Sequence, residues 1–76
     1  MTREQAIQAA GFVVGRFIIC RDTAINDYSD MHETIKELAV YIQPDVNPLK
    51  LDMECAYCVR MMVDIIISWH SREALK

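Results

Sequence analysis

Apolar residues recur along this chain at steps of three and four in three stretches, separated by two polar breaks. That spacing is the mark of amphipathic helices, because a 3.6-residue turn brings positions i, i+3 and i+4 onto one face. The middle stretch is the cleanest. Met31, Ile35, Leu38 and Ile42 form one stripe while Glu33, Lys36 and Glu37 face away, which predicts a helix over about residues 30–43 that buries a single face. In the third stretch Leu51, Cys55, Cys58, Met62, Ile65 and Trp69 alternate steps of four and three, a coiled-coil spacing that predicts a helix over about residues 49–72. Val59, Val63, Ile66 and Ile67 widen that stripe beyond half the circumference, leaving Glu54, Arg60, Asp64 and Ser68 for water, with Arg60 and Asp64 spaced for a weak ion pair. Taken alone, Phe17–Cys20 and Asp64–Ser68 also satisfy a strand pattern, and their helical surroundings decide against it.

The breaks and ends carry matching signals. Thr2 and Gln5 have the capping-box arrangement, so a first helix is predicted to start near residue 3 and to run to about residue 25. Asn26, Asp27, Tyr28 and Ser29 supply turn chemistry: Asn26 tolerates the left-handed conformation at a helix end, and Ser29 or Asp30 can cap the next helix. Pro44 cannot continue the second helix. Asn47 before Pro48, or else Asp52, is the expected start of the third.

The first helix contains an anomaly. Projected at about 100° per residue, its main apolar face is Ile7, Ala10, Val13, Val14, Phe17, Ala24 and Ile25, bordered by Ala6, Ala9 and Cys20. Phe12 and Ile19 fall on nearly the opposite side with Gln8, and Gly11 and Gly15 lie between that side and Ile18. Each glycine in a helix interior costs about 0.8–1 kcal/mol against alanine, so a pair four apart calls for a reason beyond local preference. One reason is close approach of another helix, seated in the glycine groove with Phe12 and Ile19 as knobs. The competing reading is that the glycines admit the third helix of the same chain or break the first.

Composition narrows the class. With 76 residues there is room for one domain, 1–76, and a chain this short buries only about 60% of its unfolded surface. Apolar residues make up 53% and charged residues 25%, which excludes disorder and leaves surplus apolar surface. Eight Lys and Arg against eleven Asp and Glu give a net charge of −3, without the basic footprint that phosphate backbones require. The acids are scattered singly and do not make a DNA-like field. The first residues are polar, Gln8, Arg16 and Arg21 interrupt the first apolar stretch, and Asp64 interrupts the third. That pattern fits neither a signal peptide nor a membrane span of ~20 apolar residues. Three cysteines among apolar neighbours fit a reducing compartment, and the expectation is a cytoplasmic protein.

Candidate chemistry is sparse. Cys55 and Cys58 form a Cys-x-x-Cys motif, but zinc needs four ligands and Cys20, His32 and His70 offer none at metal-ligand spacing. A redox pair calls for a thiol at a helix N-terminus, and both cysteines lie in the apolar stripe, so packing is the favoured role and no metal or cofactor is expected. His70 sits where an imidazole caps the end of a helix, and His32 lies in an exposed first turn. No phosphate loop, nucleophile elbow or catalytic carboxylate pair is present. Met53, Met61 and Tyr57 could make an adaptable contact surface, and Trp69 is of a type enriched at binding hot spots.

These features predict an all-α, compact three-helix bundle that packs into a homodimer and is not an enzyme. Its expected role is a protein–protein interaction module of the adaptor, anti-activator or inhibitor type, such as phages and mobile elements carry. The predicted interface is Gly11, Phe12, Gly15, Ile19, Met61 and Trp69, with a second copy and another protein as partners. A helix-turn-helix DNA-binding regulator is the alternative, weakened by the long Pro-containing second connection and an apolar third helix. A zinc or thiol-redox protein using Cys55 and Cys58 is the third reading.

Overall fold

The computed structural model describes residues 1–24, 27–45 and 55–75. Helix α1 spans Arg3–Thr23, a 3-10 turn covers Ser29–Met31, α2 spans His32–Ile42 and α3 spans Ala56–Ala74. Each helix packs on the other two, α1 and α3 most extensively. The radius of gyration, 11.8 Å, is close to the roughly 11 Å expected of a folded domain of this length. The fold is the predicted three-helix bundle. Among the described residues no helix is long and apolar enough to cross a membrane.

Helix α1 starts on the capping box. Thr2 Oγ1 accepts from the Gln5 backbone N–H at 3.2 Å, and Gln5 Oε1 accepts from the Thr2 N–H at 2.9 Å, which satisfies two donors that the first turn leaves open. At the other end the helix stops earlier than the sequence predicts. Ala24 takes the left-handed conformation (φ 60°, ψ 19°) and terminates it, a role expected of Asn26, which lies outside the described residues together with Ile25. Alanine in that conformation is strained by roughly 1–2 kcal/mol through its Cβ. Ala24→Gly is therefore expected to raise the unfolding free energy by about 0.5–1 kcal/mol, less than the full strain because glycine also loosens the unfolded chain. Urea unfolding followed by circular dichroism measures it.

The turn into α2 is organised by charge. Asp27 accepts from the Ser29 N–H at 3.1 Å and from the Ser29 hydroxyl at 2.7 Å, and these two bonds hold its carboxyl below the usual range. Arg16 of α1 donates to both oxygens of Asp30 at 2.7 and 2.8 Å and to the Asp27 carbonyl at 3.0 Å. The Asp30 carboxyl is held low by that guanidinium. Neither Ser29 nor Asp30 caps α2, as the sequence suggests they could, because the aspartate is committed to Arg16 and Met31 occupies the cap without a side-chain bond. The stretch instead enters α2 through the 3-10 turn, with the Met31 N–H donating to the Tyr28 carbonyl at 2.9 Å.

Tyr28 lies against the core beside this turn. Burial, and secondarily a hydrogen bond with the Cys20 thiol, push its phenol up to about 12. A phenol near 10 in the unfolded chain then ionises more readily there than in the fold. Its contribution to stability is fully present below about pH 10 and is lost as pH rises toward about 12. Tyr28→Phe is expected to flatten the decline in unfolding free energy across that window; an equally steep decline in the variant would place the titration elsewhere.

The core is Ala6, Ala10 and Val13 of α1, Ile35, Leu38 and Ala39 of α2, and Val59, Met62, Val63 and Ile66 of α3. Helix α2 presents the predicted stripe, with Met31 and Ile42 closing it at either end. The other two are rotated relative to expectation. In α1, Ala6 and Cys20, assigned to the border, are buried while Ala24 is exposed. In α3 the seam runs through Val59, Met62, Val63 and Ile66, and Cys58, Ile65 and Trp69 are only half-buried. The small side chains at Ala6 and Ala10, both fully buried, let neighbouring backbone come close on this side of α1. Arg3 pairs with Glu73 at 3.0 Å, placing the start of α1 beside the end of α3. The expected Arg60–Asp64 pair does not form among the described residues, and both side chains are exposed. In water such a pair gains too little to order two long side chains.

Candidate functional site

The outward side of α1 is where the predicted interface residues gather. Gln8, Phe12, Gly15 and Ile19 follow one line along the helix at steps of four, three and four, and all are exposed. Phe12 is 67% exposed, Ile19 57% and Ile18 42%. Isolated exposed apolar residues are ordinary. Three large ones on an arc of roughly 120° around two glycines make a continuous apolar surface, and none belongs to the core cluster.

The two glycines differ in what surrounds them. A Cβ built on Gly11 would lie 3.7 Å from His70 Nε2 of α3, an ordinary contact, whereas one on Gly15 would meet nothing within 4 Å. Neither has a positive φ. Among the described residues nothing therefore requires glycine at either position, and the helix is not broken there. The groove at Gly15 opens to solvent, with Phe12 and Ile19 standing on one side of it and Ile18 on the other.

Met61 and Trp69 belong to other surfaces. Met61 is exposed on α3, four residues after the exposed Tyr57. Trp69 is half-buried and meets Tyr41 of α2 edge to face, ring centroids 5.8 Å apart at 84°. Both rings are partly buried and pack against the core cluster, in an arrangement aromatic pairs favour. Trp69 thus acts as a packing anchor between α3 and α2. His70 covers the Gly11 side of α1. Beyond α2, Met1, Glu33, Lys36, Glu37, Val40 and Tyr41 line an open groove of mixed charge.

The Cys-x-x-Cys motif occupies a position that sequence spacing leaves undecided. Helix α3 begins at Ala56, and the expected starts at Asn47 or Asp52 lie outside the described residues. Cys55 is in extended conformation (φ −85°, ψ 109°), so a helix running through it is corrected to one starting just after it. Its Sγ accepts from the Cys58 backbone N–H at 3.3 Å, the role a serine or aspartate usually plays. Both thiols are half-buried, in place of the seam positions the heptad pattern assigned them. The signal was available in the spacing itself, since N-cap and N3 are three residues apart. Among the described residues no group of three or more His, Cys, Asp and Glu is placed to hold a metal ion. Cys20 is buried, its thiol directed at the Asp27 carbonyl at 4.0 Å.

No family model matches the sequence, and no curated protein or solved structure is significantly similar to it.

Proposed function

We propose that this chain is a non-catalytic protein–protein interaction module that pairs with a second copy of itself through the outward side of α1 and acts by binding another protein. The observation that carries this reading is Gly15: a helix-interior glycine with open space where its side chain would be, beside Phe12 and Ile19 exposed to water. Its cost in helix propensity has no return inside one chain. Between two copies it has one. A two-fold axis across the groove sets the same patch against itself, and the missing Cβ lets the two backbones close while Phe12 and Ile19 of each copy fill the space beside the glycines.

The DNA-binding alternative draws less support. Helix α3 carries only Arg60 and Arg72 as cations along Ala56–Ala74, too few to follow a phosphate backbone.

Light scattering coupled to size exclusion, at two concentrations and under reducing conditions, tests the pairing. The expected mass is twice the 8.8 kDa of the chain, with a shift toward the single-chain mass on dilution. A single-chain mass at the higher concentration overturns the pairing, and the α1 surface would then be assigned to a different protein.

A further inference from the structure

We propose that Cys55 and Cys58 form a dithiol–disulfide site that reacts with small disulfides of the glutathione class. Three features converge there independently of the α1 surface. Cys55 stands at the N-cap of a 19-residue helix, where the peptide dipoles favour negative charge. The Cys58 N–H already points at its sulfur at 3.3 Å, and a donor so placed stabilises a thiolate more than a thiol. Among the described residues the first turn of α3 carries no acidic side chain. The second thiol is carried by the residue whose N–H makes this contact, so Cys58 Sγ is three bonds from a nitrogen that already touches Cys55 Sγ. Cys-x-x-Cys at the start of a helix is the spacing of known dithiol–disulfide pairs. Cys55 and Cys58 are half-buried, while Cys20 is buried at 3% exposure. Cysteine is also a poorer cap than serine or aspartate, so capping alone does not account for this residue type.

The reaction balances as two exchanges. The Cys55 thiolate attacks one sulfur of glutathione disulfide, that S–S bond breaks, and the departing glutathione thiolate takes a proton from water. The Cys58 thiol then releases its proton to water and attacks the Cys55 sulfur of the mixed disulfide, expelling the second glutathione thiolate, which is protonated in turn. Two electrons pass from the protein dithiol to the small disulfide, leaving a Cys55–Cys58 disulfide and two molecules of reduced glutathione.

The test equilibrates the full chain with oxidised and reduced glutathione at set ratios, quenches with acid and reads intact mass and peptide mapping. The expected product is a chain two hydrogens lighter with Cys55 joined to Cys58 and Cys20 still a thiol. Cys58→Ser is expected to stop at one glutathione on Cys55, and Cys55→Ser, which keeps a capping oxygen and hence the fold, to take up none at this motif. In the native wild-type chain, alkylation of Cys55 by iodoacetamide should run about tenfold faster than in the urea-unfolded chain at the same pH. The proposal is overturned if both thiols persist under oxidising glutathione, if the adduct in Cys55→Ser forms on Cys58 as readily as it did on Cys55, or if folding leaves the Cys55 rate unchanged.

Discussion

Ile66→Ala is expected to remove roughly 2–5 kcal/mol of folding free energy, the loss caused by deleting buried methyl and methylene groups and leaving a cavity behind. Ile66 is fully buried in the middle of α3, within the cluster that joins all three helices. At the usual 0.05–0.15 kcal/mol per residue, a chain of 76 residues has about 4–11 kcal/mol in total. One side chain then holds from about a fifth of the stability to all of it, and where a loss near ~5 kcal/mol meets a total near ~4 kcal/mol the variant is unfolded at room temperature. Chemical denaturation followed by far-ultraviolet circular dichroism gives the difference from the midpoint and slope. Ser68→Ala, two residues on and exposed, is the companion measurement and should stay within about 0.5 kcal/mol. A loss at Ile66 no larger than that would mean the three helices are not assembled around it.

The same residue shows how far the sequence could be read. Ile66 appears there as a residue that widens the stripe of the third helix, yet it lies at the centre. Step counting finds the face of a helix with a narrow stripe, and in α2 it recovers Ile35 and Leu38 at the centre and Met31 and Ile42 at the ends, missing only the buried Ala39. Where apolar residues cover more than half the circumference, several seams fit equally well, and the partner surface decides among them. In α1 the decision falls to Ala6 and Ala10, whose small side chains favour close packing and weigh little in a hydrophobicity pattern. Caps divide in the same way. The Thr2 and Gln5 box closes within four residues and is legible directly, whereas Asp30 is drawn away by Arg16, fourteen positions earlier. The start of α3 at a cysteine obeys a spacing that also fits a heptad. The outward placement of Phe12 and Ile19 was legible because the helix is regular from Arg3 onward and both lie nearly opposite Ala10 and Val13, which the sequence had already placed on the core side.

Gly15→Leu is expected to separate the roles of helix and surface. In the single chain the leucine has open space and replaces the poorest helix former short of proline with one of the best, so helix content should be unchanged or higher and the intrinsic stability of α1 should rise by about 0.8–1 kcal/mol. In the proposed pairing of two copies the same side chain would stand between the two backbones. A weakening of self-association by tenfold or more corresponds to a loss of about 1.4 kcal/mol, a modest demand for a clash at the centre of a seam. Sedimentation equilibrium on wild type, Gly15→Ala and Gly15→Leu supplies the comparison. Alanine gains most of the helix propensity with little bulk, so a series in which stability rises from glycine to alanine while association falls further at leucine identifies the groove as the contact. Phe12→Ser adds an independent arm, removing a knob without filling the groove, and should weaken association by a similar factor. If leucine at position 15 leaves the association constant unchanged in a chain that does dimerise, the seam lies elsewhere, and the exposed Tyr57 and Met61 on α3 become the surface to vary. If association tightens instead, the groove binds by apolar area alone and close approach of backbones has no part in it.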